Sequence, residues 1–236
     1  MTAYKVISII DKCINRLVTI LAIPIFLFGA YFVADSAYVF NHAAAGGLFG
    51  RQQQQNVEEI MKELTDEAVA WLKVDDSKID YPVMRADNNT KYLNTDPYGD
   101  YNIAGAIFMD FRCSGDFGDP YTVLYGHHME NGYMFGALDQ FEDRDYFEAH
   151  RTGTLTVDGT EYPFRIFAFA VAEADDPFVF EPDNAYYVRQ YVAEHATIYH
   201  EPGDGRLFLM STCRSSGATD RTLVYAEILE QGGDAE

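Results

Sequence analysis

The chain has 236 residues and a formal net charge of −20, from 17 Lys and Arg against 37 Asp and Glu. That balance argues against nucleic acid or any other polyanion as a partner, because phosphate-rich ligands call for clustered Lys and Arg. The acidic runs 139–148 and 173–183 read as solvated faces.

At the N-terminus no charge interrupts Leu17 to Ala34, a stretch long enough to cross a hydrocarbon layer of about 30 Å at 1.5 Å per helical residue. Lys5, Lys12 and Arg16 precede it and Asp35 follows it, so the positive-inside rule sets the N-terminus in the cytoplasm and the rest outside. We expect a cytoplasmic N-terminus over 1–16, a transmembrane signal-anchor over 17–40, a linker over 41–55 and one extracellular domain over 56–236. A cleaved signal peptide is the competing reading, with Ala43-Ala44-Ala45-Gly46 as small cleavage-site residues, but the apolar block exceeds the usual core of about 7–15 residues.

Beyond a polar spacer rich in Gly and Gln, apolar residues recur at three- and four-residue steps from Val57 through Ile60, Met61, Leu64, Ala68, Trp71 and Leu72, which predicts a packing helix. From Ile79 the pattern changes to short aromatic and β-branched runs around Tyr81, Ile107, Tyr121, Leu155, Phe164, Leu207 and Leu223, split by Gly, Asp, Asn and Pro. Many such strands in under 200 residues predict a barrel or sandwich domain. Asp158-Gly159 marks a tight hairpin. Two helical insertions are expected, at 134–147 and at 184–199.

The chemistry-bearing residues lie far apart. Cys213 ends the run Leu209-Met-Ser-Thr-Cys, Arg221 opens another strand-like run, and His127 and His128 follow Tyr125-Gly126. A thiol attacks only as thiolate, which a nearby imidazolium favours while serving later as proton donor to a leaving amine. A guanidinium stabilises the developing oxyanion without losing its own proton. Arg214 is the competing cation, but neighbours on an extended segment point to opposite faces, which favours Arg221. Asp220 is either an orienting partner for Arg221 or a solvated loop carboxylate. A Cys113–Cys213 disulfide would remove the nucleophile; Cys113 reads instead as a loop or core thiol. A zinc site from His127, His128, Cys213 and His150 or His195 has only residue type behind it, so no metal and no cofactor is expected.

Together Tyr125-Gly-His-His-Met129 with Met134-Phe135, Ser211-Thr-Cys213 with Arg221, and Ile107-Phe-Met-Asp-Phe-Arg112 resemble the class B sortases, membrane-anchored cysteine transpeptidases of Gram-positive bacteria. The likeness runs from about Trp71 to Ile228. It implies a mainly β fold: a closed barrel of about seven or eight strands, with an N-terminal helix and a long helix inserted before the strand that carries Cys213. It implies catalytic roles for His127, Cys213 and Arg221, and substrate contacts at Asn89, Leu93 and Ser211. Asn89, Leu93 and Ser211 read equally as a turn residue, a core leucine and a strand hydroxyl. His128 falls where the family often has Asn. The implied reaction cleaves the Thr-Xaa bond of a C-terminal sorting signal on a secreted protein through a thioester. The acyl group then passes to an amine of peptidoglycan precursor or to a pilin lysine, without calcium. The implied setting is the cell membrane, with the lipid bilayer holding the N-terminal helix. An exported cysteine hydrolase and a membrane-tethered binding protein without turnover stay open as alternatives.

Overall fold

The computed structural model describes residues 3–45, 57–129, 132–213 and 219–229. The chain divides into two units, Met1–His42 and Ala43–Glu236. The spacer at 46–56 and the competing cation Arg214 lie outside the described residues.

The first unit is one helix, α1 (Ala3–Ala45), with Pro24 inside it. Its span Ile10–Ala34 has a mean hydropathy of 2.4, and none of it is buried within the protein. Phe26 and Ile25 are 76% and 73% exposed. A helix apolar on every face has no solvent-facing side to offer water, so this span is a candidate membrane anchor.

The second unit is a β-barrel. Its strands are β1 (Ala68–Val74), β2 (Asp80–Met84), β3 (Ile107–Met109), β4 (Tyr121–Tyr125), β5 (Thr152–Val157), β6 (Thr160–Glu173), β7 (Ile198–Tyr199), β8 (Leu207–Cys213) and β9 (Asp220–Ile228). Eight of them run in the order β5-β1-β2-β3-β4-β8-β9-β6, and β5–β6 pairing closes the ring. Closure leaves no free sheet edge around the ring. β7 pairs with Ala168 and Phe169 on the second half of β6.

Two strand pairings shape the site. β4 and β8 are parallel neighbours, Tyr125 opposite Ser211, although far apart in sequence. β8 and β9 are antiparallel, Cys213 opposite Arg221. Phe208 and Met210 of β8 join the interior core, while Leu207 and Leu209 pack outside with Tyr121, Leu223 and Tyr225. Both faces are covered, which explains why this strand reads as a continuous apolar run.

The expected helix over Val57–Leu72 is corrected. α2 spans only Val57–Met61, and Ala68 to Leu72 belong to β1. Trp71 and Ile60 form one apolar cluster, so the three- and four-residue spacing arose from packing across space between a short helix and a strand. The first helical insertion is a 3-10 turn, Phe135–Glu142, followed by α3 (Arg144–Ala149), whose cap Asp143 accepts from the Tyr146 backbone N–H at 2.9 Å. The second comprises α4 (Pro177–Phe180) and α5 (Ala185–His195), with Val188 and Val192 on the outer core. Ile198, placed by its spacing on that helix, lies in β7.

Candidate active site

Strand register brings the separated motifs together. Beyond the Tyr125–Ser211 pair, the Gly126 N–H donates to the Ser211 carbonyl at 3.1 Å. His127 follows directly on Gly126, and Arg221 faces Cys213 across the next ladder. Gly126 is required for space: a Cβ there would stand 2.4 Å from Ile107 Cδ1 and 2.8 Å from Phe135.

A cleft of about 310 Å3 opens at this end of the barrel. Asn89 and Leu93 line it together with His127 and Arg221, above Phe108, Tyr125, Ser211 and Thr212, with Ala174 and Phe180 contributed by the segment after β6. Ser211 is 2% exposed, and its hydroxyl has no hydrogen-bond partner among the described residues.

His127 Nε2 lies 2.8 Å from the carbonyl oxygen of Leu93. A carbonyl only accepts, so Nε2 carries the proton in this arrangement and Nδ1 is the nitrogen left to trade one. The carbonyl is well fixed. Adjacent Tyr92 is buried, its hydroxyl donates to Glu67 at 2.5 Å, and its own carbonyl receives the Ala106 N–H at 3.0 Å. The adjacent histidine serves a different purpose. His128 Nε2 meets Asp139 Oδ2 at 2.7 Å, and Thr222, next to Arg221, donates its hydroxyl to Asp139 Oδ1 at 2.9 Å. Asp139 thus ties the histidine segment to β9.

Asn89 has its amide engaged: Nδ2 donates to Asp110 Oδ2 and Oδ1 accepts from the Phe111 N–H, both at 2.9 Å. Asp110 is fully buried. Burial alone would raise its pKa, but the hydrogen bonds from Arg112, Asn89 and Tyr125 outweigh that and hold it below the ordinary carboxylate value. Asp220 is exposed and accepts from the Thr219 hydroxyl at 3.4 Å.

The other thiol and imidazoles are accounted for separately. Cys113 is a free, buried cysteine, and burial pushes its thiol up to about 11, which keeps it protonated near neutrality. His150 and His195 bond through Nδ1 to the carbonyls of Tyr146 and Tyr191 one helical turn back. Among the described residues no three potential metal ligands gather.

The residues that the sequence did not single out are the aromatic walls, Phe108, Tyr125 and Phe180. Tyr125 had a signal, since it opens the histidine motif. Phe180 had none, because its segment reads as an acidic loop.

The chain belongs to the sortases: the sortase domain matches residues 72–229. Sortase B of Listeria monocytogenes is 25% identical over 86% of this chain and 91% of its own length. The crystal structure of a Streptococcus pyogenes class B sortase involved in pilus biogenesis superposes with a TM-score of 0.67 at 26% identity, over 73% of this chain and 98% of that one. Sortase B from the type II pilus of Streptococcus pneumoniae gives a TM-score of 0.60 at 30% identity, over 74% and 97% of the two chains. Within the family the likeness is to class B, and the enzyme is a cysteine transpeptidase.

Proposed function

We propose that Cys213 is the nucleophile, His127 the proton carrier and Arg221 the oxyanion ligand of a transpeptidase that cleaves the Thr-Xaa bond of a C-terminal sorting signal. The Cys213 sulfur bonds to the threonine carbonyl carbon, the negative charge that builds on the carbonyl oxygen is met by Arg221, and the C–N bond breaks as His127 protonates the departing amine. An acceptor amine then attacks the thioester, loses a proton to His127 and releases the thiolate. The Leu93 carbonyl acts as the orienting group for His127, since it accepts from Nε2 and leaves Nδ1 for proton transfer. Asn89, Leu93 and Ser211 stand where a peptide in the cleft would be read.

The observation that carries this reading is the register: Cys213 opposite Arg221 on one side, and the β4 extension bearing His127 on the other. The anchor and its flanking Lys5, Lys12 and Arg16 support a catalytic unit held outside the cytoplasmic membrane, facing the cell wall. There the acceptor is an amine of peptidoglycan precursor or a lysine of a pilin subunit, the second reading being favoured by the likeness to a class B sortase involved in pilus biogenesis.

The test is mass spectrometry of the enzyme incubated with a panel of Thr-containing pentapeptides, with and without an amine acceptor. An acyl adduct on Cys213 and a ligated product are expected, both lost in Cys213→Ala. Release of free acid despite saturating amine would make the enzyme a hydrolase, and full turnover by Cys213→Ala would remove the nucleophile assignment.

A further inference from the structure

We propose that Asp110 and Arg112 are positioning residues that hold the Asn89 side of the peptide cleft at a fixed distance from the opposite Phe180 wall. The pair sits at the end of β3, beneath the cleft. Asp110 Oδ2 accepts from Asn89 Nδ2 at 2.9 Å and from the Tyr125 hydroxyl at 3.0 Å, so it fixes one wall and the floor. Arg112 grips Asp110 with two nitrogens, Nε to Oδ1 and Nη2 to Oδ2, both at 2.9 Å. The other side of the same guanidinium reaches across to the segment after β6, donating to the Phe180 carbonyl and to Glu181 Oε1, both at 2.7 Å. Phe180 in turn stacks on Tyr125, centroids 6.2 Å apart.

Geometry favours a spacer over simple fold support. The planar fork of arginine presents several donors in fixed directions, so one guanidinium sets both a distance and an angle between its partners. The wall it reaches is short: α4 is one turn, and its main-chain carbonyl is the gripped atom. Neither residue lines the cleft itself. Losing Arg112 should therefore let the Phe180 wall drift while the residues around Cys213 keep their register.

This inference rests on Cys213 being the nucleophile and a peptide occupying the cleft, and the experiment separates the two ideas. Full-length enzyme in detergent would be compared with Arg112→Met by three measurements: amide hydrogen exchange, steady-state kinetics with a Thr-containing pentapeptide turned over by the parent, and the alkylation rate of Cys213 by iodoacetamide. We expect exchange at 177–184 to quicken by about tenfold with barrel strands unchanged, and KM to rise about tenfold. The turnover number should stay within about threefold, and alkylation should not change. Should Arg112→Met fail to fold, because it strands a buried carboxylate, the neutral pair Asp110→Asn/Arg112→Met takes its place with the same expectations. A lower melting temperature with KM and exchange at 177–184 both unaltered would overturn the proposal. A parent enzyme that neither acylates nor alkylates at Cys213 would instead overturn the catalytic reading, while the exchange comparison would still decide whether Arg112 holds the wall.

Discussion

Single atoms decide how the histidine reaches its place. Gly126 has Ile107 Cδ1 and Phe135 where a methyl group would go, so Gly126→Ala must displace the backbone that carries His127. We expect a stability loss of about 1–3 kcal/mol by thermal melting and, from the proton-carrying role proposed for His127, at least a tenfold loss of turnover, since small misplacements of such a group are costly. Asp110 contributes to the pH dependence of stability. Its folded pKa lies below the unfolded value of about 3.9. The stability it contributes is therefore complete above that value and drains away as pH falls toward the folded one. Urea midpoints measured from pH 6 downward should fall for the parent mainly below about pH 4. They should fall less steeply for Asp110→Asn, which starts lower at pH 6 because the ion pair with Arg112 is gone. His127 and His128 show that adjacent identical residues can part company, one bonded to a carbonyl in the cleft and the other tied to Asp139.

At the level of elements, the barrel strands were legible because each is a short β-branched and aromatic run closed by turn residues. The hairpin at Asp158-Gly159 is the clearest case: both residues have positive φ, 48° and 74°, as the two-residue turn between β5 and β6 demands. β1 was not legible. Trp71 faces Ile60 while Ala70 and Leu72 face the interior, so the strand is apolar on both sides and its spacing merges with that of the short helix before it. Ile198 was missed for a related reason, since two residues of edge strand directly after α5 preserve the helical step. Of the cleft, the family motifs had pointed to His127 and Arg221, which both line it, but the wall built by Phe180 depends on a hydrogen bond from Arg112 across 68 positions of chain, and no local pattern reports such a contact.

As a whole molecule, the protein divides into two units. The sortase match begins only at residue 72, well after the apolar span Ile10–Ala34. Removing residues 1–55 should leave the melting temperature and the turnover of a soluble peptide within about 1 °C and twofold of the parent, while abolishing co-flotation with lipid vesicles. A barrel that melted much earlier without its leader would show that the anchor also stabilises the catalytic unit.

The parallel β4–β8 ladder has a temporal consequence. A polypeptide emerging N-terminal end first presents β4 long before β8 exists to lie beside it, and pairings across such long loops form slowly. The cleft that Tyr125 and Ser211 line together is therefore assembled only when the barrel closes, so its walls are among the last features of the fold to form.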